Sequence, residues 1–252
     1  MFDVSEAAYD NFMGRYSMRL APVFAGFADV EAGQRVLDVG AGTGALTTEL
    51  ERRGAVVSAV DPSPSFVAAL RRRLPDVETR AAPAEQLPFG DEVFDAALAQ
   101  LVVTFMRDAH AGIAEMRRVV RPGGVVAACM WDRTGMEMLA AIHRTQQAIP
   151  TGSPATEART LYRTREELES LFAGDGFADV HTEPLEVESA YEGFEEFWGA
   201  LADGAGPAGT WVKSLDAAKL EAARAELHRQ VGEPEGGFTL RGRAWATRAT
   251  RV

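Results

Sequence analysis

Short apolar runs alternate with amphipathic segments from about residue 20 to residue 131. The apolar runs predict buried strands. They lie at about Arg35–Val39, Ala55–Val60, Val77–Ala81, Phe94–Ala99 and Val125–Trp131. Because strands and helices alternate and the strands are apolar throughout, the pattern predicts a mainly parallel α/β sheet with helices on both faces.

The segments between these runs carry apolar residues at helical spacing. One helix precedes the first strand, and a second is predicted from Ala45 to Arg53. Ser63 and Pro64 are typical of the N-cap and first position of a third helix. A fourth helix is predicted to end at Arg121-Pro122-Gly123-Gly124. The apolar stripes of the first, third and fourth helices are Leu20, Val23, Phe24 and Phe27; Phe66, Leu70 and Leu74; and Ile113, Met116 and Val120.

The pattern after residue 131 is less regular. Residues 132–163 form a polar, threonine-rich connection with a helix predicted around Met136–Ala148. Thr164 and Glu167 indicate a capping box at the start of the next helix. The remaining predicted elements are a strand near Ala178–Val187, a helix marked by Phe194, Phe197, Trp198 and Leu201, a flexible loop Gly204–Gly209, a helix marked by Leu220, Ala223 and Leu227, and a strand over Phe238–Thr247.

The first strand runs directly into a glycine-rich turn, VLDVGAGTG, over residues 36–44. Gly40, Gly42 and Gly44 stand at alternate positions, and helix-forming residues follow from Ala45. Glycine lacks a Cβ and tolerates positive φ, so the backbone can lie against a ligand. A strand, a glycine turn and a helix are the arrangement of a nucleotide-type cofactor site.

Acidic residues follow three of the predicted strands or stand within them. Asp38 precedes the turn, Asp61 ends the second strand and Glu85 follows the third. The carboxyl ends of parallel strands meet at one crevice, so we expect these acids to lie together. No lysine or arginine stands within the turn itself, which favours a cationic ligand over a pyrophosphate. The run GAGTGA from Gly40 still satisfies the dinucleotide pattern, and Asp61 fits ribose hydroxyls in either case.

Four segments together resemble the class I S-adenosylmethionine (SAM)-dependent methyltransferases. They are VLDVGAGTG, SAVDPSP, AAPAEQLPFGDEVFDAALAQ and VVRPGGVVAACMW, in the family's order and near its spacing. The resemblance covers roughly residues 1–187, with the tail matching more loosely. AEQLPF and RPGG look most like the branch that methylates small molecules, including the quinone-biosynthesis enzymes.

The resemblance implies a Rossmann-like, doubly wound sheet of seven strands with an antiparallel last strand. It also implies a single domain over residues 1–252, whose cofactor-binding half is residues 1–131. The segments 132–163 and 190–232 are then expected to be insertions on the substrate side.

The resemblance also implies a set of cofactor-binding residues. Asp38 would hold the methionine ammonium, Asp61 the ribose hydroxyls, and Ala84 with Glu85 the adenine edge. Tyr16 matches an N-terminal aromatic that often reaches the methionine end, although core packing is slightly favoured as its explanation. The full predicted set is Tyr16, Asp38, Gly40, Ala41, Gly42, Gly44, Asp61, Pro62, Ala84, Glu85 and Gln100.

The chain departs from the family at Ala82-Pro83, where many relatives carry Gly-Asp. The Asp that accepts from the adenine amino group is therefore missing, and Pro83 has no N–H to donate. Gln100-Leu101-Val102 also lacks the pattern of enzymes that methylate planar amino groups. Gln100 can orient a ligand but cannot act as a base.

No catalytic residue is evident, because methyl transfer depends mainly on in-line positioning. The candidates for a general base are His110, His143, Tyr162 and His181, of which His143 is preferred because it lies in the 132–163 segment. Trp131 and Trp198 line an apolar substrate pocket or belong to the core.

Composition excludes several other classes. A net charge of −11 argues against a large nucleic-acid footprint. The single cysteine, Cys129, lies in an apolar run typical of a buried strand, and no metal-ligand cluster is apparent. Without a signal peptide or a membrane-length apolar run, the chain is expected to be cytoplasmic, without membrane or nucleic-acid partners.

The sequence thus predicts a SAM-dependent methyltransferase that acts on a small molecule, as a monomer or homodimer. Two alternatives remain open at this stage. One is an NAD-dependent oxidoreductase that uses the GAGTGA turn, and the other is a SAM-binding module without catalytic activity.

Overall fold

A computed structural model describes residues 10–149, 161–203 and 206–252. The chain divides into two compact units. The larger consists of the described residues within Ser17–Asp132, Thr160–Leu185 and Ala244–Val252, and the smaller of those within Met1–Tyr16, Arg133–Arg159 and Glu186–Arg243.

Seven strands form one sheet in the order β3-β2-β1-β4-β5-β7-β6. The neighbouring pairs from β3 to β5 are parallel, and the last strands are antiparallel. This confirms the predicted doubly wound sheet. The strands are β1 (Arg35–Val39), β2 (Val56–Asp61), β3 (Glu78–Ala81), β4 (Phe94–Gln100), β5 (Val120–Met136), β6 (Phe177–Tyr191) and β7 (Phe238–Arg251).

Helices connect the strands, and their bounds agree with the predicted positions within a few residues, except where corrections are given below. They are α1 (Arg15–Phe27), α2 (Ala45–Arg52), α3 (Pro64–Arg73), α4 (Ala109–Val119), α5 (Glu137–Ala148), α6 (Arg165–Glu169), α7 (Phe194–Ala202), α8 (Gly206–Lys213) and α9 (Ala217–Gln230). A π-helical turn at Asp10–Gly14 precedes α1, and short 3-10 turns lie at Val103–Phe105 and Ser170–Phe172.

The predicted stripe of α1 is partly wrong. Leu20 and Phe24 are fully buried, but Val23 is 39% exposed. Tyr16 takes its place, because Tyr16, Leu20 and Phe24 stand four residues apart and therefore share one side of the helix.

The fifth strand begins earlier than predicted. Val120 is in extended conformation and pairs with Phe94, so α4 ends at Val119. The Arg-Pro-Gly-Gly segment therefore lies inside β5, where Gly123 has φ 76°. A Cβ on Gly124 would lie 2.5 Å from the Asp95 carbonyl oxygen, which explains why glycine fits this irregular pairing.

The loop predicted at Gly204–Gly209 is also wrong in part. Residues 204 and 205 lie outside the described residues, but α8 begins at Gly206 and continues to Lys213. Val212 is buried, and the Lys213 Nζ donates to the Asp203 carbonyl oxygen at 2.9 Å. Tertiary burial thus overrides the low helix propensity of glycine and proline.

No helix in the part of the chain that the structure describes is long and apolar enough to cross a membrane.

Candidate functional site

The glycine turn follows β1 in the larger unit, and its backbone is left-handed at all three glycines. Gly40, Gly42 and Gly44 have φ values of 76°, 54° and 92°. The backbone N–H groups of Gly40 and Ala41 both donate to the Val60 carbonyl oxygen, at 2.8 and 3.0 Å. These bonds fix the turn against the carboxyl end of β2.

The three glycines differ in what surrounds them. A Cβ on Gly40 would lie 2.4 Å from the Val102 Cγ2, and one on Gly44 would lie 2.4 Å from the Leu70 Cδ1. A Cβ on Gly42 would meet nothing within 4 Å. Gly40 and Gly44 therefore allow close packing, whereas Gly42 borders the open space that a ligand could fill.

Asp38 lies below the turn and is almost completely buried, at 1% exposure. Its Oδ2 accepts a hydrogen bond of 2.6 Å from the Thr47 hydroxyl in the first turn of α2. Burial raises the pKa of Asp38 to about 7, and the nearby Asp61 carboxylate adds to this rise although Thr47 opposes it. Asp38 is therefore poised between its neutral and charged forms near neutral pH.

Asp61 ends β2 and faces the same turn. Its Oδ2 accepts from the Gly42 N–H at 2.9 Å, and its Oδ1 accepts from the Ser63 N–H at 2.8 Å. Burial raises the pKa of Asp61, and the two backbone bonds oppose that rise. Each carboxylate oxygen retains a second lone pair, so the group can still accept from a ligand hydroxyl.

Ser63, between β2 and α3, stands at the predicted N-cap position but does not cap the helix with its side chain. Ser63 occupies the N-cap position before Pro64, as predicted, but its hydroxyl makes no capping bond and pairs with Ser65 Oγ at 2.8 Å. Pro62, a predicted cofactor residue, is exposed beside Asp61.

Ala84 and Glu85 lie beside the start of α4. Glu85 Oε1 accepts from the N–H groups of Arg107 and Asp108, at 2.6 and 3.2 Å. Ala84 is buried, and its Cβ would lie 3.4 Å from a Cβ on Gly112. Glu85 thus fastens the chain before α4, and its contact with adenine remains a prediction.

Gln100 ends β4, which pairs with β1 through Leu98 opposite Asp38. Its Nε2 donates to the Ser17 carbonyl oxygen at 3.1 Å. Its Oε1 is buried and has no hydrogen-bond partner among the residues that the structure describes. A buried acceptor without a donor is costly and is expected to be satisfied by a ligand or water.

Several residues of this site were not identified from the sequence. Thr47 has no motif of its own, and its role depends on helix α2 placing it against Asp38. Leu101 has φ 62°, a conformation that is uncommon for a branched side chain and that recurs at functional sites. Arg73 Nη1 donates to the Thr43 carbonyl oxygen at 3.0 Å, so a cation does reach the turn, from α3.

Tyr16 belongs to the smaller unit and is fully buried there. Its hydroxyl lies 3.2 Å from that of Tyr191, and the Arg15 guanidinium lies 4.1 Å from the centre of the Tyr191 ring. Burial raises the pKa of Tyr16 far above its usual value. These contacts account for Tyr16 as a core residue, and its predicted contact with the cofactor is not tested by them.

The three histidines among the candidate bases are all exposed to solvent. His143 is exposed on α5, and His181 is exposed with its Nε2 3.2 Å from Glu183 Oε2. His110 is exposed and makes an edge contact with the Tyr162 ring, at 6.4 Å between ring centres. None of these contacts supplies the buried partner that tunes a base, so the structure adds no support to the preference for His143.

The two tryptophans also differ. Trp131 is 3% exposed in β5, and its carbonyl oxygen accepts from Arg163 Nε at 3.2 Å. Trp198 is half-buried and stacks on Phe194 in the smaller unit. Trp131 therefore belongs to the core.

The residues at the glycine turn fit a cationic nucleoside cofactor. Open space lies beside Gly42, and two carboxyl groups face the turn. A buried amide oxygen at the end of β4 has no donor within the described ranges of the chain. Hydroxyl and ammonium donors complement these acceptors.

Comparison with known proteins finds methyltransferases. Residues 37–128 match the family described as methyltransferase domain. The chain is 46% identical over 131 residues to an uncharacterized methyltransferase of Mycobacterium tuberculosis, covering 52% of this chain and 53% of that protein. It is 39% identical over 121 residues to the demethylmenaquinone methyltransferase of Mycolicibacterium paratuberculosis, covering 47% and 51%. The chain thus spans about half the length of these curated relatives.

A solved structure shares the fold over nearly the whole chain. It is the Haemonchus contortus phosphoethanolamine N-methyltransferase 2 in complex with phosphomonomethylethanolamine and S-adenosylhomocysteine, with a TM-score of 0.59 and 18% identity, covering 97% of this chain and 56% of that one. Residues 37–128 thus match a methyltransferase domain, and the chain shares the fold of a solved methyltransferase.

Proposed function

We propose that this protein transfers a methyl group from SAM to a small-molecule acceptor by in-line displacement. The observation that carries the proposal is the glycine turn of the larger unit, where open space beside Gly42 adjoins Asp61 and the buried Asp38. A cradle with two carboxyl groups suits a cofactor that carries a sulfonium and an ammonium group. The family match and the neighbour with bound S-adenosylhomocysteine support this choice of cofactor.

The proposed roles follow from the geometry of each acceptor. Asp61 is held by two backbone N–H groups, so its remaining lone pairs are oriented to accept from the ribose hydroxyls. Asp38 lies deeper and would balance the methionine ammonium. The Gln100 Oε1 would accept from a donor on the cofactor or the acceptor molecule.

Methyl transfer from SAM requires little acid or base catalysis. SAM supplies an activated methyl group whose leaving group is a neutral thioether, so the protein mainly has to align the nucleophile and exclude water. A base is needed only if the acceptor must lose a proton before attack. The proposed reaction therefore does not require a histidine beside the cofactor.

The acceptor is proposed to be a small organic molecule. The AEQLPF and RPGG segments resemble the small-molecule branch, and one relative is named as a demethylmenaquinone methyltransferase.

Calorimetric titration of the purified protein with SAM, S-adenosylhomocysteine and NAD tests the cofactor. We expect both sulfur nucleosides to bind and NAD not to bind. Asp61→Ala should weaken SAM binding by about tenfold or more, because hydrogen bonds to a charged group are lost. Asp76→Ala, which changes an exposed Asp in the loop before β3, is the matched control and should leave the affinity unchanged.

Binding of NAD without SAM would replace this proposal by the oxidoreductase alternative. Unchanged SAM affinity in Asp61→Ala would refute the role of Asp61. Formation of S-adenosylhomocysteine during an acceptor screen distinguishes an enzyme from a module that only binds SAM.

A further inference from the structure

The two carboxyl groups at the glycine turn are stabilised unequally. Both oxygens of Asp61 accept from backbone N–H groups, those of Gly42 and Ser63. Among the described residues, the hydrogen bonds to the Asp38 carboxyl group come from Thr47, whose hydroxyl lies 2.6 Å from Oδ2 and whose backbone also contributes. Fixed N–H donors favour the charged form of a carboxylate, so Asp61 is the better placed of the two to be ionised.

The remaining surroundings of Asp38 are apolar or of the same sign. In the sheet it stands opposite Ala59 in β2 and Leu98 in β4, both fully buried. The buried thiol of Cys129 in β5 lies near Asp38, and the Asp38 carboxylate contributes to raising the pKa of Cys129. The charged group that acts on Asp38 is Asp61, and no arginine or lysine pairs with Asp38 in the described part of the chain. A buried carboxyl group in such surroundings favours its neutral form.

We propose that Asp38 carries a proton in the free protein and releases it when a cationic ligand binds at the glycine turn, and that Thr47 is the positioning residue that sets the pH of this exchange. The proposal rests on the proposed function, which identifies the ligand as SAM or its demethylated product. The step breaks the O–H bond of the neutral carboxyl group and transfers the proton to water or buffer, and the carboxylate that remains balances the charge of the ligand.

The exchange makes ligand affinity depend on pH. The pKa of Asp38 in the free protein is about 7, so most protein molecules carry a proton on Asp38 in mildly acidic solution. They must lose this proton to bind the ligand. Affinity should therefore be about tenfold weaker at about pH 6 than at about pH 8, since one pKa unit corresponds to a factor of ten. Loss of the Thr47 hydroxyl removes a donor to the carboxylate and should move this dependence to higher pH.

Calorimetry in buffers of low and high ionisation enthalpy tests the exchange, because it counts the protons released per ligand bound. At about pH 7 the wild type should release roughly half a proton from Asp38 on binding S-adenosylhomocysteine. Asp38→Asn should release none from this position. The ligand's own ammonium titrates equally in all variants, so the difference between proteins isolates Asp38.

Thr47 is tested with two substitutions and a matched control. Thr47→Val should release more protons than the wild type at the same pH, whereas Thr47→Ser, which keeps the hydroxyl, should behave like the wild type. Thr48 is the adjacent residue of α2, and its hydroxyl donates instead to the Gly44 carbonyl oxygen at 2.7 Å. Thr48→Val should therefore leave proton release unchanged.

Each outcome decides the proposal. Equal proton release by the wild type and Asp38→Asn would overturn the exchange while leaving the proposed function intact. If Asp38→Asn does not fold or does not bind the ligand, equal release by Thr47→Val and Thr47→Ser would overturn it instead. Absence of binding by the wild type across this pH range would overturn both the exchange and the proposed function.

Discussion

The Val102 Cγ2 occupies the place beside Gly40 where a side chain would begin, 2.4 Å from the position of a Cβ. Val102 follows β4, whereas Gly40 follows β1, and the two strands are parallel neighbours. The end of β4 therefore shapes the turn after β1, and the two segments form one packing unit beneath the candidate site.

Substitutions at two glycines should separate packing from ligand binding. Gly40→Ala is expected to lower the free energy of unfolding by about 2–4 kcal/mol, because it adds a clash with Val102 to the strain of a left-handed alanine. Gly42→Ala should cost only about 1–2 kcal/mol, since its side chain meets open space. Urea denaturation measures both values.

A double substitution at Gly40 and Val102 provides the control for the predicted clash. Val102→Ala combined with Gly40→Ala should recover part of the stability lost by Gly40→Ala alone. Gly42→Ala should weaken SAM binding despite its smaller effect on stability. Equal destabilisation by the two single substitutions would contradict the packing assigned to Gly40.

A second prediction concerns the arginines that share Glu49. Both Arg52 and Arg53 bind its carboxylate, which holds the pKa of Glu49 below its usual value. Arg53 is 24% exposed at its side chain and also donates to the Pro22 carbonyl oxygen of α1 at 2.7 Å, whereas Arg52 is 69% exposed. Arg53→Ala should therefore lower the free energy of unfolding by about 1–3 kcal/mol.

Arg52→Ala is the matched control, and little or no change is expected because exposed ion pairs contribute little. Thermal and urea unfolding of the two variants provide the comparison. A larger loss in Arg52→Ala than in Arg53→Ala would refute the bridging role of Arg53.

A third prediction concerns stability as a function of pH. The pKa of Asp38 is near 7 in the folded protein and near 3.8 as its ordinary value, so between these pH values the folded state binds more protons than the unfolded state. The contribution of Asp38 to stability therefore falls as pH rises through this window. Asp38→Asn should remove that loss and gain stability over the wild type between about pH 5 and pH 8, on the order of 4 kcal/mol at most.

Urea unfolding at several pH values tests this sign. If the difference between Asp38→Asn and the wild type is constant with pH, the ionisation of Asp38 does not differ between the folded and unfolded states.

A fourth prediction separates the two interpretations of Tyr16. Tyr16→Phe removes one partner of the buried hydroxyl pair with Tyr191 and should lower the free energy of unfolding by about 1 kcal/mol. If Tyr16 acts as a core residue, SAM affinity should stay the same, and calorimetry measures it. A clear loss of affinity with unchanged stability would support the predicted contact with the methionine end instead.

The sequence predicted best those features that are determined by neighbouring residues in the chain. Strand β1 was predicted with its observed bounds, because an apolar run ends at glycines that the turn requires. Asp38 and Asp61 were predicted to lie together because parallel strands end at one edge of the sheet, and Asp61 is close enough to affect the pKa of Asp38.

Contacts between distant segments could not be predicted in the same way. The hydroxyl of Thr47 and the guanidinium of Arg73 have no periodic or motif signal, and their partners are known only once helices α2 and α3 are placed. The helix that begins at Gly206 was missed because glycine and proline suggest a loop, while burial of Val212 depends on the tertiary fold.

The packing of Leu70 beneath Gly44 has a consequence for how this protein can change over evolutionary time. Leu70 is fully buried, and its Cδ1 fills the space that any larger residue at position 44 would need. The backbone shape of the glycine turn at Gly44 is thus determined by packing in the core and does not depend on a ligand. A larger residue at position 44 therefore needs a smaller or shifted side chain at position 70 and must also adopt the left-handed backbone of Gly44.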